Sequence, residues 1–216
     1  MKGIGTINMK LLKKVKSLEV KRCFVISNRF TSKKMRKDAL KKHITTPAKE
    51  TFSKNIAINK DAVLKLEEAA LDLIISTEYR KRLKVYDSVD WHIGFVVLSE
   101  VGLWKGAGGI PKTWTHGSLS DSAKKMSSEL KKIDFRLSRS RARKVVSEII
   151  SLRTIIKKEK YLLPIILPGG TISTCRKGML KMKGDIDDGC MRSLAFAING
   201  DKKIKAYIGT KREENA

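Results

Sequence analysis

The sequence predicts an α+β domain, a mostly antiparallel sheet with helices inserted in its middle. Three observations lead there. From Trp91 onward, short runs rich in β-branched and aromatic residues recur, which is the composition of strands. Glycine-containing breaks divide them at Gly102–Pro111, Pro168-Gly169-Gly170 and Asn199-Gly200-Asp201, as turns and hairpins require. Apolar residues at helical spacing occupy the segments before and between those runs.

Residues 1–58 form a basic N-terminal extension, 59–210 the domain proper and 211–216 a short tail. Residues 1–60 carry 17 Lys and Arg against Glu19, Asp38 and Glu50. Within this arm Val20 to Ser27 reads as a short β run. The Lys-Lys pairs at 13–14, 33–34 and 41–42 lack helical amphipathicity and read as solvated. Asn59 then offers a helix N-cap, with Asp61 in the first turn. Val63, Leu64, Leu66, Ala70, Leu71, Ile74 and Ile75 follow at helical spacing, and Arg80, Lys81 and Arg82 sit where cations suit the helix dipole.

Strand character begins at Val85-Tyr86-Asp87 and continues from Trp91 to Glu100. Lys112 to Leu119 reads as the next strand. Residues 122–160 are a second basic block, with 13 Lys and Arg against Glu129, Asp134, Glu148 and Glu159. Ala123–Ile133 and Val145–Ile156 are its helices. Tyr161–Leu167, Thr171–Cys175, Leu194–Ile198 and Ile204–Ile208 complete the strands.

The 47 Lys and Arg against 22 Asp and Glu give a formal charge of +25. Such a surplus repels itself in a compact state unless an anion is near. Nucleic acid answers that demand by counterion release; an anionic membrane surface is the rival. Cys23, Cys175 and Cys190 make neither a disulfide framework nor a zinc set, and neither a structural metal nor a cofactor is expected. No apolar run approaches the roughly 18 residues of a transmembrane helix, so a soluble or peripheral protein is expected.

No enzymatic motif emerges. Gly106 to Thr113 nearly spells a phosphate loop, but Pro111 stands where a backbone N–H is needed. His92, read as a hydrogen-bonded structural residue, and His116 could face Asp121, yet no nucleophile motif accompanies them. Asp185, Asp187 and Asp188 lack the remaining ligands of a calcium loop and read as an acidic turn. The chain is read as a non-enzyme. Phosphate contacts are assigned to Lys33, Lys34, Arg36, Lys37, Arg136, Arg139, Arg141, Arg143 and Lys144. Phe24, Phe30, Phe52, Tyr79, Tyr86, Trp91 and Phe135 are candidate stacking surfaces. Ser138 and Ser140, beside arginines, are candidate phosphorylation sites that would weaken binding. Without a recognition motif, binding should show no sequence preference.

His92-Ile93-Gly94-Phe95-Val96-Val97-Leu98, then Gly102-Leu103, Gly109-Ile110-Pro111 and Trp114 to Leu119 ending at Asp121, resembles the core of the thirty-kilodalton superfamily of plant-virus movement proteins. The resemblance covers about thirty residues closely. It implies a jelly-roll-like β domain with flanking helices, His92 and Gly94 on the first strand, and Asp121 closing the second, where a carboxylate accepting from nearby backbone N–H groups would fix the turn. It also implies cooperative binding of single-stranded RNA or ribonucleoprotein, and transport of the viral genome through plasmodesmata. The implied partners are a viral nucleoprotein, plasmodesmal or endomembrane components of the host and further copies of the chain; the implied location is the host cytoplasm and periphery. The alternatives are a viral matrix or nucleocapsid-type RNA-binding protein and a cellular ribosomal or RNA-processing factor.

Overall fold

The computed structural model describes residues 7–31, 60–103, 106, 110–115, 117–131, 153–169 and 182–212. Its strands are β1 Met9–Val15, β2 Val89–Val97, β3 Val101–Gly102, β4 Ile165–Pro168, β5 Gly184–Asp188 and β6 Lys203–Lys211. They form one sheet in the order β1-β2-β6-β4-β5-β3. The fold is mixed α+β, and the sheet itself is mixed: β3–β5 and β4–β6 are parallel, the other pairs antiparallel.

The helices are α1 Ser17–Thr31, α2 Glu68–Asp87, α3 Leu119–Lys131, α4 Arg153–Lys158 and α5 Cys190–Ile198. Side chains alternate across a strand, and the alternation sorts two cores. Ile204, Ala206 and Ile208 of β6 join Leu119, Ala123 and Met126 of α3 and Leu194 and Phe196 of α5. Tyr207, between them, joins Val20 and Phe24 of α1 and Leu71 and Ile75 of α2. The sheet is thus apolar on both faces and carries helices on both. A jelly roll stacks two antiparallel sheets; the described strands instead lie between two helical layers.

Several expectations are corrected. Val20–Ser27 is helical, not β. Val20, Lys21 and the whole of Cys23–Ser27 are buried, so no polar stripe betrays the 3.6-residue period. Residues 9–31, rather than standing apart, supply an edge strand and a core helix. The helix expected from Asn59 is a short helical segment at 60–64, then a break at 65–67, then α2, which takes in Val85-Tyr86-Asp87. Arg22 of α1 reaches the Leu64 and Leu66 carbonyls at that break, at 3.5 and 3.4 Å.

Lys112–Leu119 is a turn and a single bridge, not a strand. Ser118 and Asp121 then start α3 as a reciprocal cap: the Asp121 amide donates to Ser118 Oγ, which donates to the Asp121 carboxylate at 2.7 Å. Ser118 is thus a side-chain N-cap, its hydroxyl rather than its backbone amide meeting the carboxylate, so Asp121 belongs to a helix start and not to a strand end. Of Tyr161–Leu167, residues Lys160–Leu162 form a 3₁₀ turn and the strand begins at Ile165. Leu194–Ile198 is helical. Its expected hairpin turn is a helix stop, with Gly200 at φ 86° and the Gly200 and Asp201 amides donating to Ala197 and Phe196, the Schellman pattern. Asp185, Asp187 and Asp188 lie on β5, not in a turn. Thr171–Cys175 and most of Val145–Ile156 lie outside the described residues.

Charges pin the α1–α2 layer to itself and to the sheet. Lys21, 2% exposed, has Glu68, Asp72 and Asp87 at 3.0, 2.8 and 2.9 Å. Burial alone would lower its pKa; the three carboxylates outweigh that and raise it. Arg82 Nε lies 2.8 Å from Asp187 Oδ2, which also accepts from the Tyr86 hydroxyl at 2.6 Å. Burial, then the Asp187 charge, pushes the Tyr86 phenol well above its ordinary range. Asp188 accepts from Ser27 at 2.7 Å and pairs with Arg192. Burial also raises the Cys23 thiol, which donates to the Tyr161 carbonyl at 3.3 Å.

Candidate nucleic-acid interface

Three strands at one edge of the sheet place together residues far apart in the chain. β2 pairs with β1 on one side and β6 on the other, and the register sets Lys10 and Lys205 directly opposite Phe95. Neighbouring strands are about 4.8 Å apart, and residues directly opposite point to the same face. Phe95 therefore stands in a row with a lysine on either side. The next row on that face is Lys13–Ile93–Tyr207, and Lys203 lies opposite Val97.

This is the face that α1 and α2 cover. Val89, Trp91 and Tyr207 are buried beneath them and Ile93 packs at their margin. The cover ends there: Phe95 is 36% exposed, and Lys10, Lys13, Lys203 and Lys205 are exposed. None of these four lysines makes an ion pair among the described residues. Lys14, next to them in sequence, points to the other face and pairs with Asp90 at 3.3 Å. The uncovered end of the sheet therefore presents four unneutralised cations around one aromatic ring.

Gly94 holds that arrangement. A Cβ there would lie 2.6 Å from the Lys10 carbonyl oxygen and 2.9 Å from Ile208 Cδ1. Only glycine lets β1 approach β2 so closely, and β1 carries Lys10 and Lys13. His92, two residues earlier, is half-buried and its Nδ1 is buried without a hydrogen-bond partner among the described residues, against the expectation of a bonded structural histidine. Asp121 belongs to α3 and its carboxylate is engaged by Ser118.

Of the expected stacking residues, Phe24, Tyr86 and Trp91 are buried and packed edge-on to one another, with centroids 5.9 and 5.2 Å apart. They serve the core and offer no face to a base. Lys33, Lys34, Arg36, Lys37, Arg136, Arg139, Arg141, Arg143, Lys144, Ser138 and Ser140 lie outside the described residues, as do His116 and the side chains of Phe30, Phe52, Tyr79 and Phe135. The lysines of β1 and β6 and the ring of Phe95 were missed. Their signal is the alternation Lys203-Ile204-Lys205-Ala206, the mark of a strand with one basic face.

On the opposite side, Ser99, Ser120, Lys124, Lys131 and Lys202 line a shallow groove of about 810 Å³ with Asp121 and Asp201. Its cations share the space with carboxylates, so the open sheet end is the stronger polyanion surface. Comparison of the chain with protein-family models, curated proteins and solved structures finds no match.

Proposed function

We propose that the protein binds single-stranded RNA at the open end of its sheet, by charge and without transforming it. The observation that carries this is the set of four exposed lysines, Lys10, Lys13, Lys203 and Lys205, with no ion-pair partner among the described residues. Nearby acids are spent elsewhere, Glu19 near Lys160 and Tyr207, Glu100 near Lys183. The basic blocks outside the described residues would add phosphate contacts.

The biological setting proposed for that binding is cell-to-cell movement of a viral genome. It is supported by the resemblance of His92–Leu98, which lies on a β-strand and its exit turn. The Asp121 half of that motif lends no support, being a helix cap. No helix among the described residues is long and apolar enough to cross a membrane.

The test is RNA retention as a function of salt. Each lysine that neutralises a phosphate on a single strand contributes about 0.7 to the slope of log affinity against log salt. Replacing Lys10, Lys13, Lys203 and Lys205 together by threonine should flatten that slope by up to about 2.8. An unchanged slope would remove this surface from the interface. Rescue of a movement-deficient virus in leaf tissue separates the movement role from a matrix or nucleocapsid role.

A further inference from the structure

We infer that Phe95 is a base-stacking residue, so that the open sheet end reads single strands by their unpaired bases as well as by their phosphates. The inference rests on the RNA-binding reading and adds a selectivity to it. Phe95 is a large apolar ring left 36% exposed on a strand paired on both sides, while Trp91 and Tyr207 of the same sheet face are buried, as are Phe24 and Tyr86 of the helices packed on it. The sheet fixes its backbone on both sides, through Lys10 and Lys205. Lys10 and Lys205 are exposed on the strands to either side, so the phosphates of a strand whose base lay on the ring would pass within reach of cations.

Aromatic platforms bind single strands in this way because every base has a π-face, which makes the contact tolerant of sequence. In a duplex those faces are hidden in the stack, so the ring is useful only toward an unpaired strand. An anionic membrane would meet the same lysines but would ask of residue 95 only apolar area.

The experiment uses the full chain and three ligands: oligouridylate, whose bases are largely unstacked, inorganic polyphosphate, which has none, and anionic vesicles. Phe95→Ala should weaken oligouridylate binding by about 5- to 150-fold and leave polyphosphate binding unchanged. Phe95→Leu, which keeps apolar area but has no π-face, should behave as Phe95→Ala, and Phe95→Trp should retain binding. Equal losses on oligouridylate and polyphosphate would overturn the inference, as would full activity of Phe95→Leu or a loss confined to vesicles. If the unaltered chain retained neither oligouridylate nor polyphosphate in dilute salt, the RNA-binding reading itself would fail. Far-ultraviolet circular dichroism of each variant excludes unfolding as the cause.

Discussion

Two ends of one sheet face use the same residue types for opposite purposes. Under α1 and α2, cations are surrounded: Lys21 by three carboxylates, Arg82 by Asp187, with the ring of Phe24 4.5 Å from the Arg82 guanidinium. Beyond the helices, Lys10, Lys13, Lys203 and Lys205 pair with no anion among the described residues, and Phe95 is left partly open to solvent. A basic composition therefore says little by itself. What separates a structural cation from a ligand-binding one is whether the fold supplies its counter-charge. The two ends should respond differently to mutation, to acid and to salt.

The largest effect should fall at the covered end. The Asp187 side chain is fully buried and that of Arg82 11% exposed. Asp187→Asn keeps the shape and the Tyr86 hydrogen bond but leaves the guanidinium without its nearest anion. Removing one partner of a buried pair costs about 3–5 kcal/mol. We expect the low end, about 3 kcal/mol, because Asp188 also helps hold the Arg82 charge. Urea unfolding would measure it. A loss no larger than that of a surface substitution would show that the pair is not structural.

How much of this was legible follows from which signals are local. The strand at Val89–Val97 and the one at Lys203–Lys211 announce themselves by composition and alternation, and α3 by its apolar spacing. α1 does not, because burial on nearly all sides erases the stripe that marks a surface helix. α5 does not either, since a five-residue apolar run such as Leu194–Ile198 fits a strand or a buried helix equally. There the deciding signal is Asn199-Gly200, which closes a helix as readily as it turns a hairpin. At α3 the Ser118-x-x-Asp121 cap was readable but lay under the resemblance that assigned Asp121 to a strand. The candidate interface was invisible for another reason. Lys10, Phe95 and Lys205 come together only through strand pairing between distant segments, and no local pattern encodes that register.

A smaller effect at the covered end should appear in acid. Burial alone would raise the Asp188 pKa, but Arg192, the Ser27 hydroxyl and Arg82 together hold it below the ordinary carboxylate value. A carboxylate depressed in the folded state stabilises it fully above the unfolded pKa, about 3.9. That contribution is lost as pH falls through the lower, folded value. Thermal unfolding between neutral pH and strong acid should therefore show a declining limb on the acid side. In Asp188→Asn the limb should be shallower, with the two proteins differing most near neutrality and converging in acid. A constant offset at every pH would assign Asp188's role to packing instead.

The smallest effect on stability should come from the open end, and its smallness is the point. Lys203 and Lys205 lie two residues apart on one face of β6, both exposed, and their like charges repel across that spacing. Replacing both by threonine, a residue that suits strands, removes the repulsion and no contact. Stability should change by at most about 0.5 kcal/mol, in the stabilising direction if at all. RNA affinity should meanwhile lose about 1.4 of its salt slope. Stability and binding would then be carried by separate cations on one sheet face. A destabilisation as large as that of Asp187→Asn would erase the contrast, since it would mean that these lysines, too, are held by the fold for its own sake.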